Sequence, residues 1–174
     1  QTFISVVIAA RNEEETLPFL LKALQTQTYP KELFEIIVVD DFSTDGTQNV
    51  SKPFYSENLR VLQPVAAQQG KKGAIETGVR AARGTLVAVT DADCIPPPKW
   101  LENLSHFHEQ TGAVFIAAPV RFTHNGSLLQ LFQAIDFLTL QGITAASGSA
   151  GFHSMCNGAN LGYTKAAFGS VNGF

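Results

Sequence analysis

The stretch VTDADCIPPPKWLENL, residues 89–104, places Asp91 and Asp93 one residue apart, between an apolar run and a proline-led helix. The two carboxylates repel each other, and the nearest basic residue along the chain is Lys99. A second acidic pair, Asp40-Asp41, closes the apolar run FEIIVVDD, residues 34–41. Ala10-Arg11-Asn12 follows the run FISVVIAA (3–10), and Gln63 ends RVLQ (60–63). If these runs are parallel strands, their carboxyl ends share the edge at which such sheets bind ligands. Four carboxylates gathered there call for a positive charge, and a divalent cation supplies it economically. Mg2+ or Mn2+ prefers hard oxygen donors, and Mg2+ commonly takes one or two carboxylates and completes its shell with water and phosphate oxygens. A D-x-D turn at a strand end therefore suits a metal-bound diphosphate. Each turn also has a purely local use, as an Asx turn or a helix cap. Local uses leave the convergence on one edge unexplained.

The elements that position these residues follow from periodicity. The runs 3–10, 34–41, 60–63 and 85–93 read as strands, the first two as buried on both faces. After the first strand, Asn12 and Glu15 have capping-box spacing, with three glutamates in the first turn. Leu17, Leu20, Leu21 and Leu24 then mark one helix face. Further helices are expected over 71–84, ended by Gly84, and over 98–110. AVFIAAPVRF (113–122) reads as a fifth strand whose Pro119 indicates an edge or bulge. Beyond it come a largely apolar helix over 127–143, a loop over 144–151, and a short strand running into a short helix over 157–168. The alternation predicts an α/β fold, a doubly wound and mostly parallel sheet flanked by helices.

The 174 residues suit one domain with a sizeable core. A net charge of −3 with no basic run gives no footprint for nucleic acid. Neither G-x-G-x-x-G nor G-x-x-x-x-G-K-[ST] occurs, so a diphosphate would lean on a metal and on Lys71 or Lys72. Cys94 and Cys156 match no zinc or redox spacing and read as reduced thiols of a cytoplasmic protein. His106 and His108, two apart on a helix, face different ways, and His124 and His153 have no partner in the sequence. No apolar run of about 18 residues would span a bilayer. The opening at Gln1 and the stop at VNGF read as the ends of a segment of a longer protein.

The blocks SVVIAARNEEETLPFLLKALQTQTYPKELFEIIVVDDFSTDGT, GKKGAIETGVRAARG, VTDADCIPPPKWLENL and NGANLGYTKAAFGSVNGF resemble, in order, those of family 2 glycosyltransferases. These are inverting enzymes of the GT-A fold that use nucleotide-diphosphate sugars, and many serve polysaccharide or cell-wall synthesis. The resemblance implies a nucleotide-sugar-binding subdomain over 1–122 and the beginning of an acceptor-side subdomain over 123–174. Ala9, Ala10 and Arg11 would line the nucleotide pocket, and Asp41 would hydrogen-bond the base, most often uracil. Lys72 would lie near the ribose and phosphates, Asp91 would contact the ribose or sugar, and Asp93 would ligate Mg2+ or Mn2+. Asn157, Gly158, Ala159 and Asn160 would border the donor sugar and the acceptor, a glycan or lipid-linked saccharide. Arg11 stands where many relatives carry an aromatic residue, and a guanidinium can also stack on a base.

In that chemistry an acceptor hydroxyl attacks the anomeric carbon in line as the nucleotide diphosphate leaves, and a carboxylate or histidine takes its proton. The family's usual base, an aspartate, would lie beyond Phe174. Asp136, inside the apolar helix, reads as structural, so the segment is expected to bind nucleotide and metal but turn over poorly. The apolar surplus of 127–143 calls for a cover: missing chain, a second copy as a homodimer, or the cytoplasmic face of a membrane holding the parent protein. A sugar nucleotidyltransferase would need a glycine-rich, arginine-bearing loop that AARNEEET lacks. A non-catalytic nucleotide- and metal-binding module remains the alternative.

Overall fold

The computed structural model describes residues 1–66, 69–122, 126–152 and 156–173. Its strands are β1 (Ile4–Ala10), β2 (Phe34–Asp40), β3 (Leu59–Leu62), β4 (Leu86–Asp91), β5 (Phe115–Ala117) and β6 (Asn160–Thr164). Its helices are α1 (Leu17–Gln25), α2 (Thr47–Ser51), α3 (Lys71–Ala81), α4 (Trp100–Thr111), α5 (Leu128–Ser149) and α6 (Lys165–Ser170). The strands form one sheet in the order β3-β2-β1-β4-β6-β5. β1, β2, β3 and β4 pair in parallel, and β6 enters antiparallel between β4 and β5. The α/β, mostly parallel expectation holds, with β6 as the exception.

Both faces of the sheet are covered, which is why its strands are apolar without alternation. Ile4, Val6 and Ile8 of β1 and Ile36 and Val38 of β2 pack with α1 and α4. Val7, Ile37 and Val39 point the other way, toward Ala74, Ile75 and Val79 of α3. Leu17, Leu20, Leu21 and Leu24 of α1 are completely buried, as their spacing requires. α3 sits close because Gly78 faces β1. A Cβ built there would lie 2.4 Å from Val7 Cγ1.

Several boundaries differ from expectation for identifiable reasons. Asn12 does not cap α1. Its φ is +58°, and it accepts from the Thr44 amide at 2.8 Å. The glutamates stay outside the first turn, and Thr16 precedes the helix with its hydroxyl on Glu13. α3 ends at Ala81, so Gly84 is not its cap. Gly84 instead approaches β1 so tightly that a Cβ would meet Ser5 N at 2.7 Å and Phe3 O at 2.8 Å. β5 stops at Ala117, two residues before Pro119, on the sheet edge that the proline suggested. Residues 144–149 continue α5 rather than forming a loop. The Thr144 and Ser149 hydroxyls bond the Leu140 and Ala145 carbonyls one turn back, a use of these side chains that is compatible with a helix interior. Among the described residues no helix is long and apolar enough to cross a membrane.

Candidate functional site

Parallel register aligns the strand ends. Ala9 pairs with Asp91, Ala10 pairs with Asp40, and the Asp41 amide donates to the Ala10 carbonyl at 2.8 Å. The consequence is a cleft of about 290 Å³ at the carboxyl edge, lined by Ala9, Ala10, Arg11, Glu13, Asp41, Gly70, Lys71, Asp91, Ala92 and Asp93. Seven of these residues were named from sequence: Ala9, Ala10, Arg11, Asp41, Asp91 and Asp93 as lining or ligand residues, and Lys71, with Lys72, as a partner for a diphosphate. A larger hollow of about 710 Å³ opens among Phe3, Lys31, Phe34, Asn58 and Arg83, residues at the opposite strand ends. The chemistry-bearing residues are in the smaller one.

The two loops that follow β1 and β2 are laced together, which fixes the wall of the cleft. The Asn12 amide donates to Ser43 Oγ at 3.0 Å, Glu13 N to Thr47 Oγ1 at 2.7 Å, and Gly46 N to Glu14 Oε2 at 2.6 Å. Glu14 and Asp45 are thus spent on backbone amides. Asp41 is buried, 3% exposed, and a buried carboxylate is costly unless it is paired. Its oxygens accept from the Gly70 amide at 2.9 and 3.1 Å, and Arg11 Nη1 lies 3.7 Å away. Asp40 turns to local work, accepting from Ser43 N at 3.1 Å and Gln63 Nε2 at 3.2 Å.

The positive charge that the carboxylates require comes partly from the chain itself. Lys71 Nζ sits 2.7 Å from Asp91 Oδ1, with the lysine side chain 56% and the aspartate 29% exposed. So open a pair contributes at most about 1 kcal/mol to stability and exchanges readily. Lys71, not Lys72, lines the cleft. Glu13 and Gly70 were not anticipated. The glycine ahead of the KKGAIETGV helix pattern, with φ of +106°, was the signal available for Gly70.

Asp93 is exposed within the cleft, and Cys94 Sγ lies 3.8 Å from its Oδ1. Burial, reinforced by the neighbouring Asp93 and Asp91 charges, pushes the Cys94 thiol up, so it stays protonated beside them. Among the described residues no three His, Cys, Asp or Glu side chains converge as a metal cage. Asp93, which has no ion-pair partner among the described residues, and Asp91, shared with Lys71, match the donor set of a hard cation that brings its own water and phosphate ligands. They do not match an ion held by protein alone.

Asn157 to Asn160 do not line the cleft, but antiparallel pairing brings them to the same edge, where Asn160 lies opposite Thr90. The Asn160 amide is engaged on both its oxygen and its nitrogen. Trp100 Nε1 donates to its oxygen at 2.9 Å, and its nitrogen donates to the Pro119 carbonyl at 2.9 Å. Asn157 Oδ1 accepts from the Ala159 amide and shapes the turn. Asp136 borders a separate hollow with Phe122, Gln130, Gln133 and Phe137. His124, His153 and Phe174 lie outside the described residues.

Comparison with known proteins agrees with this geometry. The family model described as glycosyl transferase family 2 matches residues 5–167. Glycosyltransferase AglE of Haloferax volcanii is 37% identical over 124 residues, which are 70% of this chain and 40% of that protein. A beta-monoglucosyldiacylglycerol synthase of Nostoc sp. is 37% identical over 94 residues, 52% of this chain and 20% of the synthase. The mannosyltransferase PcManGT of Pyrobaculum calidifontis, solved with GDP-Man and Mn2+, superposes with a TM-score of 0.81 at 22% identity, over 100% of this chain and 48% of that one. The chain therefore spans less than half the length of these relatives.

Proposed function

The chain belongs to glycosyl transferase family 2, and from that premise we propose that its cleft binds a nucleotide-diphosphate sugar, UDP-linked in the first instance, for transfer to an acceptor hydroxyl with inversion. The observation that carries this reading is the meeting of Asp41, Lys71, Asp91 and Asp93 in one cleft at the carboxyl edge of a parallel sheet. Asp41, held by the Gly70 amide and flanked by Arg11, is the acceptor for a base N–H, and Arg11 packs over the base. Lys71 gives up Asp91 and turns to the diphosphate, leaving Asp91 for the ribose or sugar hydroxyls. Asp93 holds Mg2+ or Mn2+, which when bound supplies charge stabilisation to the departing diphosphate. The turn 157–160 borders the donor sugar and acceptor.

Every carboxylate in the cleft has a task in this scheme, Glu13 being engaged by the Thr16 hydroxyl. None is left to deprotonate the acceptor. We propose that this segment binds donor but turns over slowly, with the base supplied by further chain. The acceptor is a glycan or a lipid-borne hydroxyl. The Nostoc relative's name specifies a diacylglycerol glycolipid, and lipid is the acceptor class we favour. Thermal shift with UDP, GDP and UDP-sugars, with and without Mn2+, tests the site. Stabilisation by a nucleotide diphosphate that depends on Mn2+ is expected. No stabilisation by any of them would overturn the reading, and parent-like sugar transfer by this segment would overturn the assignment of the base.

A further inference from the structure

The groups that the cleft offers are laid out along one sheet edge. Asp41 follows β2, Lys71 and Asp91 meet beyond β1 and β4, and Asp93 follows β4. Neighbouring strands lie about 4.8 Å apart, so β2 and β4, with β1 between them, are roughly 10 Å apart. A nucleotide-diphosphate sugar laid from Asp41 to Asp93 points its sugar at the next position on that edge. β6 is the neighbour there, and residues 157–159 lead into it. A Cβ built on Gly158 meets no atom within 4 Å, so there is open space beside this turn.

The two asparagines that bracket the turn have different tasks. Trp100, 6% exposed, opens α4, and a buried indole N–H needs an acceptor. Trp100 Nε1 finds it on Asn160 Oδ1 at 2.9 Å. Asn160 Nδ2 donates in turn to the Pro119 carbonyl at 2.9 Å, and the Asn160 carbonyl accepts from Ala118 N at 3.0 Å. The start of α4 is itself anchored. Gln27 Nε2 donates to the Pro97 carbonyl at 2.9 Å, and Gln27 Oε1 accepts from Leu101 N at 3.1 Å. Thr28 N donates to the Pro98 carbonyl at 2.8 Å. The segment that leaves Asp93 is therefore fixed to the end of α1 and reaches through one indole to the first residue of β6. Swinging the Asn160 amide toward a ligand would strip the buried indole of its acceptor. Asn157 differs. Its Oδ1 accepts from Ala159 N at 2.9 Å, and its Nδ2 has no partner among the described residues.

We infer that Trp100 and Asn160 are positioning residues for the donor sugar, and that Asn157 Nδ2 donates to one of the sugar's hydroxyls. The inference rests on the reading of the cleft given above. The bonded series of indole, carboxamide and Pro119 carbonyl holds the turn 157–159 at a set distance from the turn that carries Asp93. Sugar and Asn157 meet only while that series is intact. Asp41, Lys71, Asp91 and Asp93, which take the nucleotide diphosphate and its cation, have no side-chain bond to Trp100 or Asn160.

Trp100→Phe keeps an aromatic ring in the core and deletes the N–H. Asn157→Ser deletes the carboxamide nitrogen, and its hydroxyl can still accept from the Ala159 amide. Titration calorimetry with Mg2+ and UDP, UDP-glucose or UDP-N-acetylglucosamine reads both variants. The ratio of UDP-sugar affinity to UDP affinity should fall about 3- to 10-fold in each, while the affinity for UDP stays within about twofold of the parent. A role in packing alone would weaken all of these ligands together. If circular dichroism shows Trp100→Phe unfolded, the parent chain supplies a second readout. Its single tryptophan gives one indole cross-peak in a nitrogen–proton correlation spectrum, and a UDP-sugar should move that peak further than UDP does. UDP binding with the ratio unchanged in either folded variant, or with the indole peak moved no further by either UDP-sugar than by UDP, would overturn this inference alone. No binding of UDP or its sugars would sink the reading of the cleft, and this inference with it.

Discussion

Lys71→Gln and Lys72→Gln should separate cleanly, and the comparison tests the site at its most specific point. The resemblance to family 2 points to Lys72, whereas the structure puts the Lys71 ammonium 2.7 Å from Asp91 in the cleft. A charged hydrogen bond to phosphate contributes about 1.5–3 kcal/mol. Releasing Asp91 costs at most about 1 kcal/mol, because the pair is half open to water. The net gain is about 1–2 kcal/mol, so Lys71→Gln should weaken UDP binding about 5- to 30-fold. Lys72→Gln should change it about twofold or less. Stability should move by less than about 1 kcal/mol in either variant. Titration calorimetry with UDP and Mn2+ reads the affinity, and urea unfolding reads the stability. A larger loss for Lys72→Gln, or a Lys71→Gln chain within twofold of the parent, would refute the placement of the diphosphate.

Three further outcomes follow from the same structure. Asp93→Asn should abolish the Mn2+ dependence of the UDP thermal shift, and Mn2+ alone should produce no shift in the parent chain, since the described residues form no protein cage for it. Glu35, fully buried, would have its carboxyl raised by burial. The Arg83 amide, the Ser5 hydroxyl and Arg60 outweigh that and leave it below the ordinary range. Its contribution is therefore complete above the unfolded carboxylate pKa of about 4.3 and fades as pH falls through the lower folded value. The melting temperature should fall in that acid window, and Glu35→Gln should flatten the fall. That variant should cost about 2–3 kcal/mol near neutrality, less than the roughly 3–5 kcal/mol for breaking a fully buried pair because Arg60 and Arg83 can rehydrate. Asn160→Ala should cost about 1–3 kcal/mol by orphaning Trp100 Nε1 and the Pro119 carbonyl. Trp100 is the only tryptophan, so its fluorescence should report the loss in urea unfolding.

Patterns set by a strand's or helix's own burial were legible in the sequence. β1, β2 and β4 are apolar on both faces because helices cover both, and the four leucines of α1 mark one face unmistakably. What failed depends on partners distant in sequence. Asn12 looks like a cap until the loop after β2 arrives, and Thr44 then claims its side chain. AVFIAAPVRF looks like a long strand, yet pairing ends at Ala117 and Val120 finds its hydrogen bonds on a glutamine side chain instead. Lys71 was named beside Lys72 as a partner for a diphosphate, but its pairing with Asp91 was not foreseen. Twenty residues separate them along the chain, and only the packing of α3 against β1 and β2, closed at Gly78, brings them together.

Where each strand ends decides which of the acidic residues serve the cleft. Asp40, the last residue of β2, turns to Ser43 and Gln63, whereas Asp41, just past it, lines the cleft. Asp91 ends β4 and Asp93 lies in the turn that follows, and both line the cleft. Glu13, Glu14 and Asp45 add three more carboxylates nearby, but hydroxyls and backbone amides have already engaged them. What the cleft offers a ligand is therefore Asp41 behind Arg11, Asp91 behind Lys71, and Asp93 with neither arginine nor lysine beside it. Under the function proposed above, that gradient, from two compensated carboxylates to one uncompensated one, would order a base, a ribose-diphosphate and a cation along the edge of a single sheet.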